Sequence, residues 1–136
     1  MTKTPTETTE ETRRLARAMY DAFQSGDATA LGEVFAEDLV DHQPPFLPWG
    51  GDYHTLAGFG ALGEKISAYL DVAGMRVERI LADGDKAIGL LRFPDLKTGE
   101  DTVVIEEVTV RDGKVVETRL YYNDTKGIPL NSAGDR

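Results

Sequence analysis

Glu106 lies among Val103, Val104, Ile105 and Val108, and a carboxyl group set in an apolar run has a use beyond carrying charge. Facing a dry pocket, such a group has its pKa raised, and it then serves near neutral pH as a hydrogen-bond donor or general acid. His42, beside Asp41, offers the complement, because an imidazole titrates near neutrality and acts as a base without special tuning. The catalytic candidates are therefore Glu106, His42 and Asp41. Tyr121 and Asn123 can anchor a ligand carbonyl by hydrogen bonds, and Tyr20 is a further phenol on the first helix. Trp49, Phe46 and Tyr53 share one stretch rich in Pro and Gly, where they form either a lid over a flat ligand, a plug, or a dimer contact. Other chemistries are poorly served. The chain has no cysteine, and the spacing of His42 and His54 fits no helical ligand motif, so neither thiol chemistry nor a metal site is expected. No Ser-His-Asp, phosphate-loop or dinucleotide pattern is present.

The element that positions Glu106 spans residues 102–123, two β-rich runs joined by Asp112-Gly113. A two-residue hairpin loop there pairs Val110 with Val115, Val108 with Glu117, Glu106 with Arg119 and Val104 with Tyr121. This register puts Glu106, Arg119, Tyr121 and Asn123 on one face, and Glu107, Thr118, Leu120 and Tyr122 on the other. It leaves Glu106 two roles. A guanidinium directly opposite makes a structural ion pair and lowers the carboxyl's pKa, or the pair helps to position a ligand. A bulge beside the turn exchanges the faces on one strand.

The rest of the chain supplies the frame. Residues 1–8 read as a disordered lead. Thr8 and Glu11 then fit a capping box, and Leu15, Ala18, Met19, Ala22 and Phe23 form the apolar stripe of a helix that Gly26 ends, with Tyr20 at the margin. Asp27 caps a second helix carrying Leu31, Val34 and Phe35. Residues 39–43 form a short strand, 44–53 a loop, and a third helix begins near Thr55. Strands over 75–82 and 86–93 flank Asp83-Gly84, and residues 125–136 form a polar tail. Helices followed by consecutive strands make one antiparallel α+β domain over 9–124, its helices covering one face of a curved sheet.

Fifteen Lys and Arg against 24 Asp and Glu give a net charge of −9, which disfavours nucleic acid and anionic membranes as partners. No apolar run approaches the ~18 residues of a membrane span, and the Thr- and Glu-rich start lacks a leader's apolar core. A cytoplasmic protein is expected.

Four stretches, 23–27 (Phe-Gln-Ser-Gly-Asp), 34–38 (Val-Phe-Ala-Glu-Asp), 49–53 (Trp-Gly-Gly-Asp-Tyr) and 110–117 (Val-Arg-Asp-Gly-Lys-Val-Val-Glu), resemble the SnoaL-like branch of the ketosteroid-isomerase-like (nuclear transport factor two-like) superfamily. The resemblance implies a cone-shaped barrel of a curved, mostly antiparallel sheet, with about three N-terminal helices packed on its concave face. It implies that Glu106 occupies the place of an acid that hydrogen-bonds a developing enolate in the isomerases. The isomerases' proton-shuttling aspartate aligns with Gln43, their helix-one tyrosine with Met19, and the cyclases' catalytic aspartate with Asn123. The implied function is binding of a hydrophobic, carbonyl-containing ligand of polyketide or terpenoid type, with cofactor-independent isomerase, cyclase or dehydratase chemistry, in a homodimer formed through the outer sheet face. Glu106 would be acid or orienting group, His42 or Asp41 base, with Tyr121 and Asn123 as polar anchors. A non-catalytic binding module of the same fold, and an epoxide hydrolase using Glu106 with Arg119, are the alternatives.

Overall fold

The computed structural model describes residues 2–131; Met1 and residues 132–136, the ends of the expected lead and tail, lie outside the described residues. Helix α1 spans Pro5–Ser25 and so takes in half of the segment expected to be disordered. The cause is local. Thr4-Pro5-Thr6-Glu7 repeats the capping signature seen at Thr8, with proline added at the first helical position, and the Thr4 side chain accepts the Glu7 amide at 3.0 Å. Gly26, with φ 68°, ends the helix in the left-handed conformation, and Asp27 caps α2 (Ala28–Val34) by accepting the Ala30 amide at 3.0 Å. Helix α3 covers Thr55–Ile66.

Six strands follow or intervene: β1 (Phe35–Gln43), β2 (Gly51–His54), β3 (Arg76–Asp83), β4 (Lys86–Pro94), β5 (Asp101–Arg111) and β6 (Lys114–Tyr122). They form one sheet in the order β2-β1-β6-β5-β4-β3, antiparallel at every junction but the parallel one between β1 and β6. β2 and β3 are its edges, so the α+β cone stays open along one side instead of sealing into a barrel. Two stretches differ from expectation. Residues 51–54 pair with β1 as a strand, and Phe35 starts β1 directly after α2 instead of completing the helix stripe.

The main core packs α1 against the sheet through Leu15, Met19, Leu39, Val104, Val108 and Val115. A second cluster, around Leu47, Trp49, Leu62, Leu70 and Ile128, closes one end. Ile128 brings the tail into that cluster, and Asn131 ties it to Pro45 and Leu47 by side-chain hydrogen bonds. Among the described residues no helix is long and apolar enough to cross a membrane.

Candidate active site

Strand alternation sorts the candidates. Along β1 the side chains of Leu39, Asp41 and Gln43 turn inward, with 0%, 1% and 5% of their surface exposed, and His42 turns to the opposite face. On the hairpin, Asp112 and Gly113 both adopt positive φ and form the expected tight turn. One residue later the register slips: Val110 pairs with Val115, but Thr109 pairs with Glu117 and Glu106 with Leu120. The extra residue, Val116, is a β-bulge that moves every later side chain of β6 to the other face. Arg119 therefore pairs with Glu107 in register and lies exposed near Glu117, and the expected Glu106–Arg119 pair does not form. Tyr121 is 48% exposed and donates to Glu107, and Asn123 is exposed; Thr118, Leu120 and Tyr122 take the inward places.

Glu106, 4% exposed, meets Tyr20 of α1, whose hydroxyl donates to its Oε1 at 2.8 Å. Tyr20 is not marginal: it is fully buried, and it reaches the sheet because Gly89, the residue paired with Glu106 on β4, has no side chain in its way. A second buried carboxyl, Asp41, accepts from Thr118 at 2.6 Å and from the Gln43 amide at 2.7 Å. The Gln43 amide can point only one way. Its Oε1 accepts from the Trp49 indole at 3.0 Å and from the Tyr122 hydroxyl at 3.3 Å, and an indole can only donate, so the NH2 faces Asp41.

The environment separates the two acids. Glu106 is pushed up to about 8, first by burial and then by the charge on Asp41, with the Tyr20 bond opposing. Burial also raises Asp41, and the net shift stays upward although the bonds from Thr118 and Gln43 favour its charged form. Glu106 is thus a neutral acid at physiological pH, and Asp41 is held by two donors suited to a carboxylate. Both border a cavity of about 90 Å³ whose other walls are largely apolar, including Phe59 and Ile66 of α3, Met75 and Leu91.

His42 lies outside this cavity. Its Nδ1 is 2.7 Å from Asp52 and its Nε2 2.8 Å from Glu117, on the outer face of the sheet. Burial pushes its pKa down, but the two carboxylates outweigh this and the net shift is upward. Trp49 is buried among Leu62, Leu70 and Ile128, Phe46 packs against the same cluster, and the Tyr53 hydroxyl donates to the Trp49 carbonyl at 2.7 Å. These aromatics close an end of the cone. Among the described residues no group of three His, Asp or Glu is arranged to hold a metal ion.

Residues 16–118, most of the chain, match the family model of the SnoaL-like domain. The chain belongs to the SnoaL-like family. Solved structures place this SnoaL-like chain in an NTF2-like fold. An NTF2-like protein from Burkholderia xenovorans is 25% identical, with a TM-score of 0.70 and 88% of this chain and 93% of that one covered. A protein from a soil-derived mobile gene cassette is 23% identical, with a TM-score of 0.74 and 88% and 95% covered. A protein from Kribbella flavida provisionally named ketosteroid isomerase is 23% identical, with a TM-score of 0.68 and 86% and 81% covered. At such identities the likeness shows the fold alone. No curated protein matches the SnoaL-like chain in sequence.

Gln43, Thr118, Tyr122 and Gly89 were not among the sequence candidates. Gln43 and Asp41 share a face of β1 by simple alternation, and Thr118 and Tyr122 follow once the bulge is known.

Proposed function

We propose that this SnoaL-like protein binds a hydrophobic carbonyl compound in the cavity between α1, α3 and the sheet, and carries out acid/base chemistry on it without a cofactor. The observation that carries the reading is Glu106, a carboxyl kept neutral in an apolar cavity and oriented by Tyr20. With Oε1 engaged by Tyr20, the acidic proton sits on Oε2 and hydrogen-bonds the ligand's carbonyl oxygen. Asp41 takes a proton from the carbon next to that carbonyl, and the charge developing on oxygen is stabilised by Glu106. Return of the proton from Asp41 to a different carbon gives an isomer, and its delivery to a hydroxyl on the β-carbon, which leaves as water, gives dehydration. Thr118 and Gln43 favour the ionised form of Asp41 needed for the first step, and Trp49 and Tyr122 hold Gln43. Glu106 resembles the acid that isomerases of this superfamily set against an enolate, with Asp41 serving in place of the base that Gln43 cannot supply.

The outer sheet face exposes Tyr121 and Leu81 and half-exposes Leu90 and Ile105 between charged residues, which supports a homodimer formed through that face. His42 and Arg119 belong to that surface. Epoxide hydrolysis loses its support with the missing Glu106–Arg119 pair.

The test is deuterium exchange at the α-carbon of hydrophobic β,γ-unsaturated ketones in heavy water, followed by NMR. Catalysed exchange that falls about 10²- to 10⁴-fold in Asp41→Asn supports the assignment. Ketones that bind in the cavity and exchange only at the uncatalysed rate make the protein a binding module.

A further inference from the structure

The cavity beside Glu106, at about 90 Å³, accommodates a small carbonyl-bearing head group and little more. A ligand of ordinary size, which needs ~300 Å³ or more, must continue outside it. Two open grooves share lining residues with the cavity: one is reached past Gln43, Leu120 and Tyr122 and carries His42, Asp52 and Arg119, and the other runs along α3. The groove along α3, of about 580 Å³, shares Phe23, Gly63 and Val72 with the cavity. Its floor along α3 is bare, because a methyl group at Gly60 or Gly63 would meet nothing within 4 Å. Its opposite rim carries two large apolar side chains left in water, Val72 at 36% exposure and Leu96 at 58%. The polar groups along it include the carboxylates of Glu64 and Asp71, which repel an anionic chain.

Resting on the assignment of the Glu106 cavity as a carbonyl site, we infer that the groove is the second half of the binding site: the ligand is an elongated, uncharged carbonyl compound whose head reaches Glu106 and whose apolar tail leaves across Gly63 to lie between α3 and the Val72–Leu96 rim. Glycine at position 63 sets the width of the passage. Helix α3 tolerates three glycines despite their helix-weakening effect, and at Gly60 and Gly63 no packed neighbour demands one.

The experiment is a binding series with unbranched methyl ketones of increasing chain length, followed by quenching of Trp49, the only tryptophan, and checked by calorimetry. Wild-type affinity rises roughly two- to fourfold per added methylene until the groove is filled. In Gly60→Leu, which fills the groove at a position that does not border the cavity, short ketones bind as before and the gain with length disappears. Leu96→Asp, a change at an exposed position, abolishes the same gain without touching the cavity. A ketone of equal length ending in a carboxylate binds more weakly than its uncharged counterpart. If short ketones bind through Glu106 and lengthening gives no gain, or if Gly60→Leu weakens short and long ketones alike, the groove is not part of the site. If no ketone of any length binds the wild-type protein, the carbonyl site and the groove fall together.

Discussion

Gly89 and Tyr20 are fitted to each other: a methyl group on Gly89 would stand 2.6 Å from the ring carbon that bears the Tyr20 hydroxyl, and nearer still to the hydroxyl itself. The strand residue paired with Glu106 must therefore lack a side chain for the helix to deliver its phenol. Gly89→Ala drives Tyr20 off Glu106 and overpacks the core, with an expected loss of about 1–3 kcal/mol in urea unfolding. The Tyr20 bond lowers the Glu106 pKa, so its loss moves that pKa further up. Tyr20→Phe shifts the titration in the same direction with less loss of stability, since nothing is overpacked. Unchanged stability and titration in Gly89→Ala would show that Tyr20 can orient Glu106 from elsewhere.

Gln43 governs Asp41. Its amide is one of the two donors favouring the carboxylate, and Gln43→Leu removes it while keeping the volume roughly constant. The Asp41 pKa then rises, and the acid limb of any α-proton exchange profile moves to higher pH. Trp49→Phe, which frees Gln43 Oε1 from the indole, moves the limb the same way by a smaller amount. A purely structural Gln43 would lower the rate without displacing the limb.

His42 gives the outer face a pH dependence of its own. Both ring nitrogens meet carboxylates, an arrangement that only the imidazolium satisfies with two donated hydrogen bonds. Its folded pKa is raised, so the stabilisation is fully present below the unfolded value near 6.5 and is lost as pH rises through the folded one. Urea titrations of wild type and His42→Gln across that interval should converge as pH rises. Exchange activity stays intact in His42→Gln, because the ring is on the opposite face from Glu106. A collapse of exchange would return His42 to the reaction.

Much of this could be read from the sequence. Asp112-Gly113 marked the hairpin, the helical stripe marked α1, and Glu106 stood out by its apolar neighbours. One bulge undid part of the site. Val116 carries no signal of its own, being one valine beside another, yet it exchanged Arg119, Tyr121 and Asn123 for Thr118, Leu120 and Tyr122 on the inner face. His42 and Asp41 were separable by alternation alone, once Leu39 was recognised as core. Tyr20 and Gly89 depend on how a helix crosses a strand, which is a tertiary relation that no local pattern encodes. The β2 strand shows no period in the sequence, because four residues behind a loop with three prolines make too short a run.

Glu106 also leaves a mark on stability. Between its ordinary value of 4.5 and about 8 the folded protein holds a proton that the unfolded chain has released, so stability falls as pH rises across that window. Glu106→Gln removes this slope. Its unfolding free energy matches or exceeds that of wild type at the alkaline end, where the wild-type protein must bury a charge.

The most direct measurement is a difference infrared titration of wild type against Glu106→Gln, following the carboxylic C=O band of a buried protonated acid. A band present at neutral pH that vanishes with a midpoint near 8 is the predicted result. A Glu106 already ionised well below neutral pH would contradict the account, since a carboxylate facing the cavity cannot donate to a carbonyl oxygen.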